Sequence, residues 1–415
     1  MKRIVSLEGL LGLVILLAAA LYAYNSSPGI TVRNRFYTPP TALQKLLKRF
    51  QRLQLQSEEI PPALPFVYRD ENPRDFSIAL ANQPLGLRKS QVLLGNPFAA
   101  APFPLSYSMI YRGNLVVLFE PGYFACYQLP ALTRNRKLEQ QLNTRKFAYH
   151  WVLSQELVAL ADGRPVAFTE KNGWQPYTQP LPLSQQPKLF EDARYVVCMR
   201  CNGEFGGEVY FYDKQQHCYY IARATCPVAV TKRGGKYFVL SALAHMMGSA
   251  ELQQIDNPAE LTRWVGENRP QDRDFARSYD AKLSQGKKLF DYSGLLLLSG
   301  FTLNGQTLYL VSWRNTTFLA TWQAGTFRAV DPLFYNDIYA NDPVTVDYGP
   351  AGVLMNIDSS EGVETSCLLF AGNQAIKINW SKSSVIEEYA TDPMAPIDSA
   401  YQWQITDSVD VQLVR

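Results

Sequence analysis

The sequence predicts a mainly β fold, built like a β-propeller from about five consecutive four-stranded antiparallel blades. Three observations lead there. Residues 195–243 read as strand after strand with almost nothing between them: Tyr195-Val196-Val197-Cys198-Met199, Val209-Tyr210-Phe211-Tyr212, Tyr219-Tyr220-Ile221-Ala222, Val228-Ala229-Val230 and Tyr237-Phe238-Val239-Leu240. β-branched and aromatic residues fill the runs, while Gly, Asp and Lys fill the gaps. Gaps this short admit antiparallel hairpins and no crossover helices. The runs are apolar almost throughout, whereas a half-solvated strand alternates, so these sheets are expected to be covered on both faces. A propeller covers each blade with its two neighbours; a β-sandwich with extra covering layers meets the same condition. The third observation is a recurrence of hairpin tips at Asp162-Gly163, Gly234-Gly235, Asn304-Gly305 and Gly372-Asn373. They lie about 70 residues apart, room for a four-stranded blade and a connector.

The composition agrees. Aromatic residues make up 13% of the 415 residues and charged residues 19%, which places the chain among folded proteins. A formal net charge of +3 is too small to imply nucleic acid.

Lys2 and Arg3 precede an apolar run that begins at Gly9 and ends at Tyr24. This pattern is an export signal or a membrane anchor. A spanning helix needs roughly 20 apolar residues, a length reached here from Ile4 by tolerating Ser6 and Glu8. Ala18-Ala19-Ala20 offers a small-x-small cleavage site, and no Cys follows for a lipid anchor. An uncleaved anchor over residues 1–24, with the body periplasmic or extracellular, is the preferred reading over a cleaved signal. Residues 25–106 read as a linker, an amphipathic helix and a Pro-rich lead-in. Thr41 caps that helix, with Leu43, Leu46, Leu47, Phe50 and Leu53 on one face and Lys45, Lys48, Arg49 and Arg52 beside the other. The apolar stripe could lie on lipid or dock on the β body.

Residues 107–415 are expected to form the β unit. Strands are expected at 115–119 and 123–129, then a short polar helix-like insert at 132–143, then strands at 147–153, 157–160 and 165–169. Beyond the central stretch, Asp256-Asn257-Pro258-Ala259-Glu260 is a good helix start, with a capping residue, a proline and an acid. Two helices, near 258–267 and 271–283, are expected as an insertion over 256–290. Strands resume from 294 and continue to 380, and late ones near 401–405 and 409–414 could pair with an early strand to close a ring.

No resemblance to a known family is found. The chain lacks the Trp-Asp signature of common propeller repeats and the Ser-x-Asp-x-Gly-x-Thr-Trp loop of sialidases. Cys198-Met199-Arg200-Cys201 is a C-x2-C, followed by His217-Cys218 and Cys226. A zinc ribbon would place a second close pair about 15–20 residues on, which Cys218 and Cys226 do not form. Cys198, Cys201, His217 and Cys218 are therefore weak metal candidates. Buried thiols come first among the readings, and a disulfide second if the body is exported. His150 lies in a strand and His245 at a strand end, neither in a nucleophile motif; no G-x-S-x-G, H-E-x-x-H or P-loop is present. Ser284-Gln285-Gly286-Lys287 matches S-x-x-K without its companion motifs. Acids gather at Asp331, Asp337, Asp342 and Asp347, and again at Asp358 and Glu361, where turns account for them.

No cofactor and no nucleic-acid partner is expected, and the sequence names no catalytic residue. The leading expectation is a membrane-anchored extracytoplasmic propeller, not an enzyme, that binds a protein or glycan partner, with the run from Gly9 to Tyr24 as its membrane contact. A carbohydrate-active hydrolase on the same scaffold is the alternative from another class, and would need two facing carboxyls. A structural subunit of an envelope complex is the third.

Overall fold

A computed structural model describes residues 103–179, 187–245, 248–264, 283–313, 316–331, 343–357 and 366–381, with shorter pieces at 68–69, 76–81, 85–98, 402–406 and 411–413 and single positions between 333 and 340. Its strands form six separate sheets, each containing one four-stranded antiparallel meander in chain order. The first strands of blades 1 to 6 are Met109–Tyr111, Tyr149–Leu153, Lys188–Glu191, Pro227–Arg233, Leu296–Leu303 and Val344–Asp347.

The near-continuous apolar runs now have their explanation. Successive side chains of a strand point to opposite faces, and here both faces are buried. In Gly207–Asp213 of blade 3, Val209 and Phe211 pack with Val230, Tyr237 and Val239 of blade 4. Tyr210 and Tyr212, between them in sequence, join the core shared with blade 2. The other interfaces follow suit. Blades 4 and 5 share Leu252, Phe290, Tyr309 and Phe327, and blades 5 and 6 share Leu310, Leu319, Met355 and Phe370. Blades 6 and 1 share Leu354, Leu369, Leu115 and Val117, while Val116 and Leu118 turn to blade 2. Every blade is thus packed between two others, and the ring is closed: a six-bladed β-propeller.

Its axis is filled by side chains. Val344 and Val346 of blade 6 pack with Leu189 of blade 3 and Val230 of blade 4, and Tyr348 touches three of the cores. Ser299 and Thr345 share a hydrogen bond of 2.7 Å between blades 5 and 6.

Blade number corrects the expectation of five. The first strands of blades 1 to 4 start about 40 residues apart. The 70-residue recurrence mixed unlike turns. Asp162-Gly163 joins the second and third strands of its blade, Gly234-Gly235 and Asn304-Gly305 join first to second, and Gly372-Asn373 joins third to fourth. Blade 4 is stretched by the segment between Ser249–Ile255 and Lys287–Ser293, which made its length resemble the supposed period.

Three local expectations also change. The helix expected from Pro258 is a 3-10 turn, Pro258–Glu260, capped by Asn257. The chain then leaves it as the strand Thr262–Arg263, which pairs with Tyr220 and Ile221 at the edge of blade 3. The unfilled sheet edge there outweighs the local helix signal; residues 265–282 lie outside the described ones. A strand at 249–255, not expected from sequence, is the third of blade 4. The late strand Gln402–Thr406 does meet an early one, Arg88–Gly95, and Val411–Leu413 pairs with Gln402–Thr406, but both lie outside blade 6, so they add to a sheet and do not close the ring. Ser77–Leu80 likewise extends blade 5, in parallel with Thr326–Asp331. The polar insert is a helix, Arg136–Leu142, with Asn135 accepting from the Leu138 amide. No helix among the described residues is long and apolar enough to cross a membrane. The run from Gly9 to Tyr24 and the amphipathic helix after Thr41 lie outside them.

Candidate functional site

Toward the axis, the interface between blades 3 and 4 is apolar, with Val209, Phe211, Val230 and Val239 in contact. Farther out it turns polar and opens into a cavity of about 430 Å³. The cause is the sequence of blade 4. In Ser249–Ile255 and Lys236–Leu243, Ala250, Leu252, Leu240 and Ala242 face blade 5. The alternate positions face blade 3, and those at the cavity, Ser241, Ser249, Glu251 and Gln253, are polar. Strand register sets Ser241, Glu251 and Asp291 side by side, one from each of the last three strands. The Arg223 backbone borders the cavity from the outer strand of blade 3, and Glu204 lines it from the 3-10 turn Gly203–Phe205.

The walls are cross-linked. Lys288 Nζ lies 2.7 Å from Glu251 Oε2 and 2.8 Å from Asp291 Oδ2. Gln253 donates to the Arg223 carbonyl at 3.0 Å and accepts from the Gly286 amide at 3.0 Å, and it also donates to Glu251. Glu204 Oε2 is 3.2 Å from His245 Nδ1. One group stands apart from this network. Ser241 is 2% exposed, and its hydroxyl has no hydrogen-bond partner among the described residues.

Next to the cavity, Cys201 and Cys226 form a disulfide. It ties the end of one blade 3 strand to the connection into blade 4, on either side of Glu204 and Arg223. Cys201 is therefore not a metal ligand. Cys198 and Cys218 are buried free thiols, and burial pushes the Cys198 thiol up to about 12. His217 Nδ1 lies 3.1 Å from the Tyr212 hydroxyl at a turn. The described residues hold no group of three or more His, Cys, Asp or Glu arranged for a metal.

The remaining residues singled out from sequence sit elsewhere. His150 is wholly buried in blade 2, its Nδ1 2.8 Å from Ser106 Oγ; burial lowers it to about 4, so the ring is neutral at pH 7. No acid orients it as a catalytic base would require. Ser284 bonds Thr262 at 3.0 Å and serves the sheet edge. Asp331 is buried against Lys89 at 2.9 Å, and Asp347 accepts from the Gly349 amide at 2.7 Å. Burial raises both acids, and neither lines the cavity. Asp337, Asp342, Asp358 and Glu361 lie outside the described residues.

The cavity residues themselves escaped sequence reading, although one signal was present. Ser249-Ala250-Glu251-Leu252-Gln253 alternates polar and apolar where the preceding strands of the central stretch are largely apolar on both faces, and so marks a face that lacks full cover.

No family model matches the chain, and no curated protein matches it. Among solved structures it is similar to the N-terminal domain of Nup159, at 12% identity and a TM-score of 0.31, over 68% of this chain and 78% of that one. It is also similar to the computationally designed Ika8 protein, at 7% identity and a TM-score of 0.32, over 70% and 88%. A third is PorZ, a surface component of the type-IX secretion system of Porphyromonas gingivalis, at 10% identity and a TM-score of 0.28, over 66% of this chain and 34% of PorZ. These likenesses carry nothing about function, and the six-bladed assignment rests on the sheets and the shared cores.

Proposed function

We propose that this propeller is a membrane-anchored extracytoplasmic binding protein whose ligand site is the cavity between blades 3 and 4. The observation that carries the reading is a buried Ser241 hydroxyl, without a hydrogen-bond partner among the described residues, in one polar cavity of about 430 Å³ beside Glu251 and Asp291. Buried polar groups are normally satisfied, and a cavity with a few convergent polar groups on a rigid scaffold is the usual form of a small-molecule site. Export is supported by the Cys201–Cys226 disulfide, since such bonds persist in oxidising compartments. Anchoring is supported by the apolar run from Gly9 to Tyr24 behind Lys2 and Arg3.

The hydrolase reading has one observation in its favour: Glu251 and Asp291 share Lys288, which brings two carboxylates close together. A glycosidase needs one of the pair held as an acid and the other free to attack or to activate water. Here a lysine stands between them, so binding without turnover is preferred.

Two measurements test the proposal. In fractionated cells the full-length chain should stay with membranes after a salt wash, and its body should be digested by protease added from outside. A protected body would overturn the extracytoplasmic assignment. In a thermal-shift panel of small polar metabolites, at least one compound should raise the melting temperature of the full chain, and Ser249→Trp, which places an indole in the cavity, should abolish that shift. A shift unchanged by S249W would move the site elsewhere. Release of reducing ends from glycans, lost in Glu251→Gln, would favour the hydrolase.

A further inference from the structure

We infer that the cavity takes a small amino sugar, a ligand with one ammonium flanked by hydroxyls, the ammonium toward Asp291 and a hydroxyl toward Ser241. The inference rests on the cavity being the binding site, and it follows from the charge of the lining and from which groups there are already spent.

The charge is negative. Arg223 borders the cavity with its carbonyl, which accepts from Gln253. Its side chain lies on the strand face of Tyr219 and Ile221, which pack in the core shared with blade 2. The lining therefore sets the carboxylates of Glu204, Glu251 and Asp291 against one ammonium, that of Lys288. His245, 3.2 Å from Glu204, adds a positive charge only when protonated. Lys288 is held by Glu251 and Asp291 at 2.7 and 2.8 Å, and both ends of the Gln253 amide are engaged. Only Oδ2 of Asp291 meets Lys288, so among the described residues Oδ1 has no donor. An anion would be repelled here, and an ammonium would find a charge-assisted acceptor. The three acids are not grouped as ligands of one metal ion, which points to an organic cation.

The rest of the lining selects hydroxyls. Ser241 is buried with its hydroxyl unpartnered among the described residues, and it can donate to or accept from a ligand hydroxyl. Thr225, Ser249 and Gln285 are further neutral polar residues of the lining, whereas its apolar members are only Ala224, Ala242 and Leu243. A plain alkyl diamine or an aromatic amine would lack apolar walls. The register gives the length. Ser241 pairs with Glu251, and Glu251 with Asp291, so Ser241 and Asp291 stand two strand spacings apart, about 10 Å. A six-membered sugar ring with a hydrogen bond at each end spans that gap, and about 430 Å³ holds it.

The test is calorimetric titration of the full-length chain in detergent with glucosamine, galactosamine, N-acetylglucosamine, glucose, putrescine and calcium chloride. Glucosamine or galactosamine should bind. Glucose and N-acetylglucosamine, which lack the charge, and putrescine, which lacks the hydroxyls, should bind at least about tenfold more weakly, the weight of a charge-assisted hydrogen bond. Asp291→Asn should weaken amino-sugar binding about tenfold or more and leave the weak binding of glucose unchanged, a selectivity that a merely structural role would not produce. Ser241→Ala should weaken it several-fold while leaving the melting temperature of the unliganded protein in place. Failure of both amino sugars to bind would overturn the ligand class. So would a neutral sugar or putrescine binding as tightly as the better amino sugar, calcium binding more tightly than either, or D291N binding like the parent. If glucose or putrescine takes their place and S249W removes that binding, the cavity stands as the site and the ligand class alone falls. If S249W alters no binding at all, the site itself falls.

Discussion

Asp192 shows how a single side chain holds two blades together. It follows the first strand of blade 3 and accepts from Lys232 and Tyr237 of blade 4, each at 2.6 Å, and from the amides of Arg194 and Tyr195. Burial alone would raise its pKa, but these four donors outweigh burial and hold the carboxyl at about 2. A lowered acid contributes stability above its unfolded pKa and loses it as pH falls through the folded value. Asp192→Asn should therefore be less stable than the parent at pH 5, with the gap closing between about pH 4 and about pH 2. Urea unfolding across that window checks this, and a constant gap would contradict it. Lys89 and Asp331 form a different kind of pair, buried and joining the lead-in strand to the end of blade 5. Removing the lysine leaves a buried carboxyl without its counter-ion, so Lys89→Met should cost about 3–5 kcal/mol at pH 7. Burial already raises the Asp331 carboxyl. It protonates readily in the variant, and stability there should recover as pH falls toward 4. Equal losses at both pH values would refute the account.

At the scale of elements, the connection from blade 3 to blade 4 depends on close approach. A Cβ on Gly207 would lie 2.4 Å from the Arg200 carbonyl oxygen and 2.9 Å from that of Ala224. The disulfide locks the same corner across a separation of 25 residues. Closing a loop of that size stabilises by about 3 kcal/mol, chiefly by restricting the unfolded chain. The double variant Cys201→Ser with Cys226→Ser should lose about that much in urea unfolding, and dithiothreitol should bring the parent to the same midpoint. A parent unaffected by reductant would show that the bond does not constrain the chain. The strands of this corner were legible from residue type, because Tyr, Val and Phe fill them. The partnership of Cys201 with Cys226 was not, since four nearby cysteines allow several pairings. The strand 249–255 was missed because Glu251, Gln253 and Gln254 lower its apolar content, although their alternation is strand-like.

Ring closure belongs to the whole molecule. Asn356 of blade 6 accepts from the Ser108 amide at 2.8 Å and donates to the Ser108 carbonyl at 3.0 Å, across 248 positions of sequence. All these groups are buried. Asn356→Leu would orphan both backbone groups where blade 1 meets blade 6, at about 1–3 kcal/mol for each group. Hydrogen exchange should then rise first in Met109–Tyr111 and Val353–Ile357, the strands on either side of the seam. Uniform loss of protection around the ring would argue against a seam at this point. The lead-in strands Ser77–Leu80 and Arg88–Gly95 pair in parallel with the outer strands of blades 5 and 6, so among the described residues strands that precede blade 1 in sequence sit on the last two blades.

Composition and strand pattern alone determined that this chain makes antiparallel meanders buried on both faces, because side-chain alternation and turn chemistry are local properties. They also placed most strands and the short helix after Asn135. Tertiary structure alone decided that the blades number six, that Thr262–Arg263 completes a sheet edge where a helix start was written, and that the free end of the chain decorates blade 6 instead of closing the ring. It also decided the cavity. Ser241, Glu251 and Asp291 come from three strands of blade 4, and strand register, which depends on partners distant in sequence, is what sets them side by side.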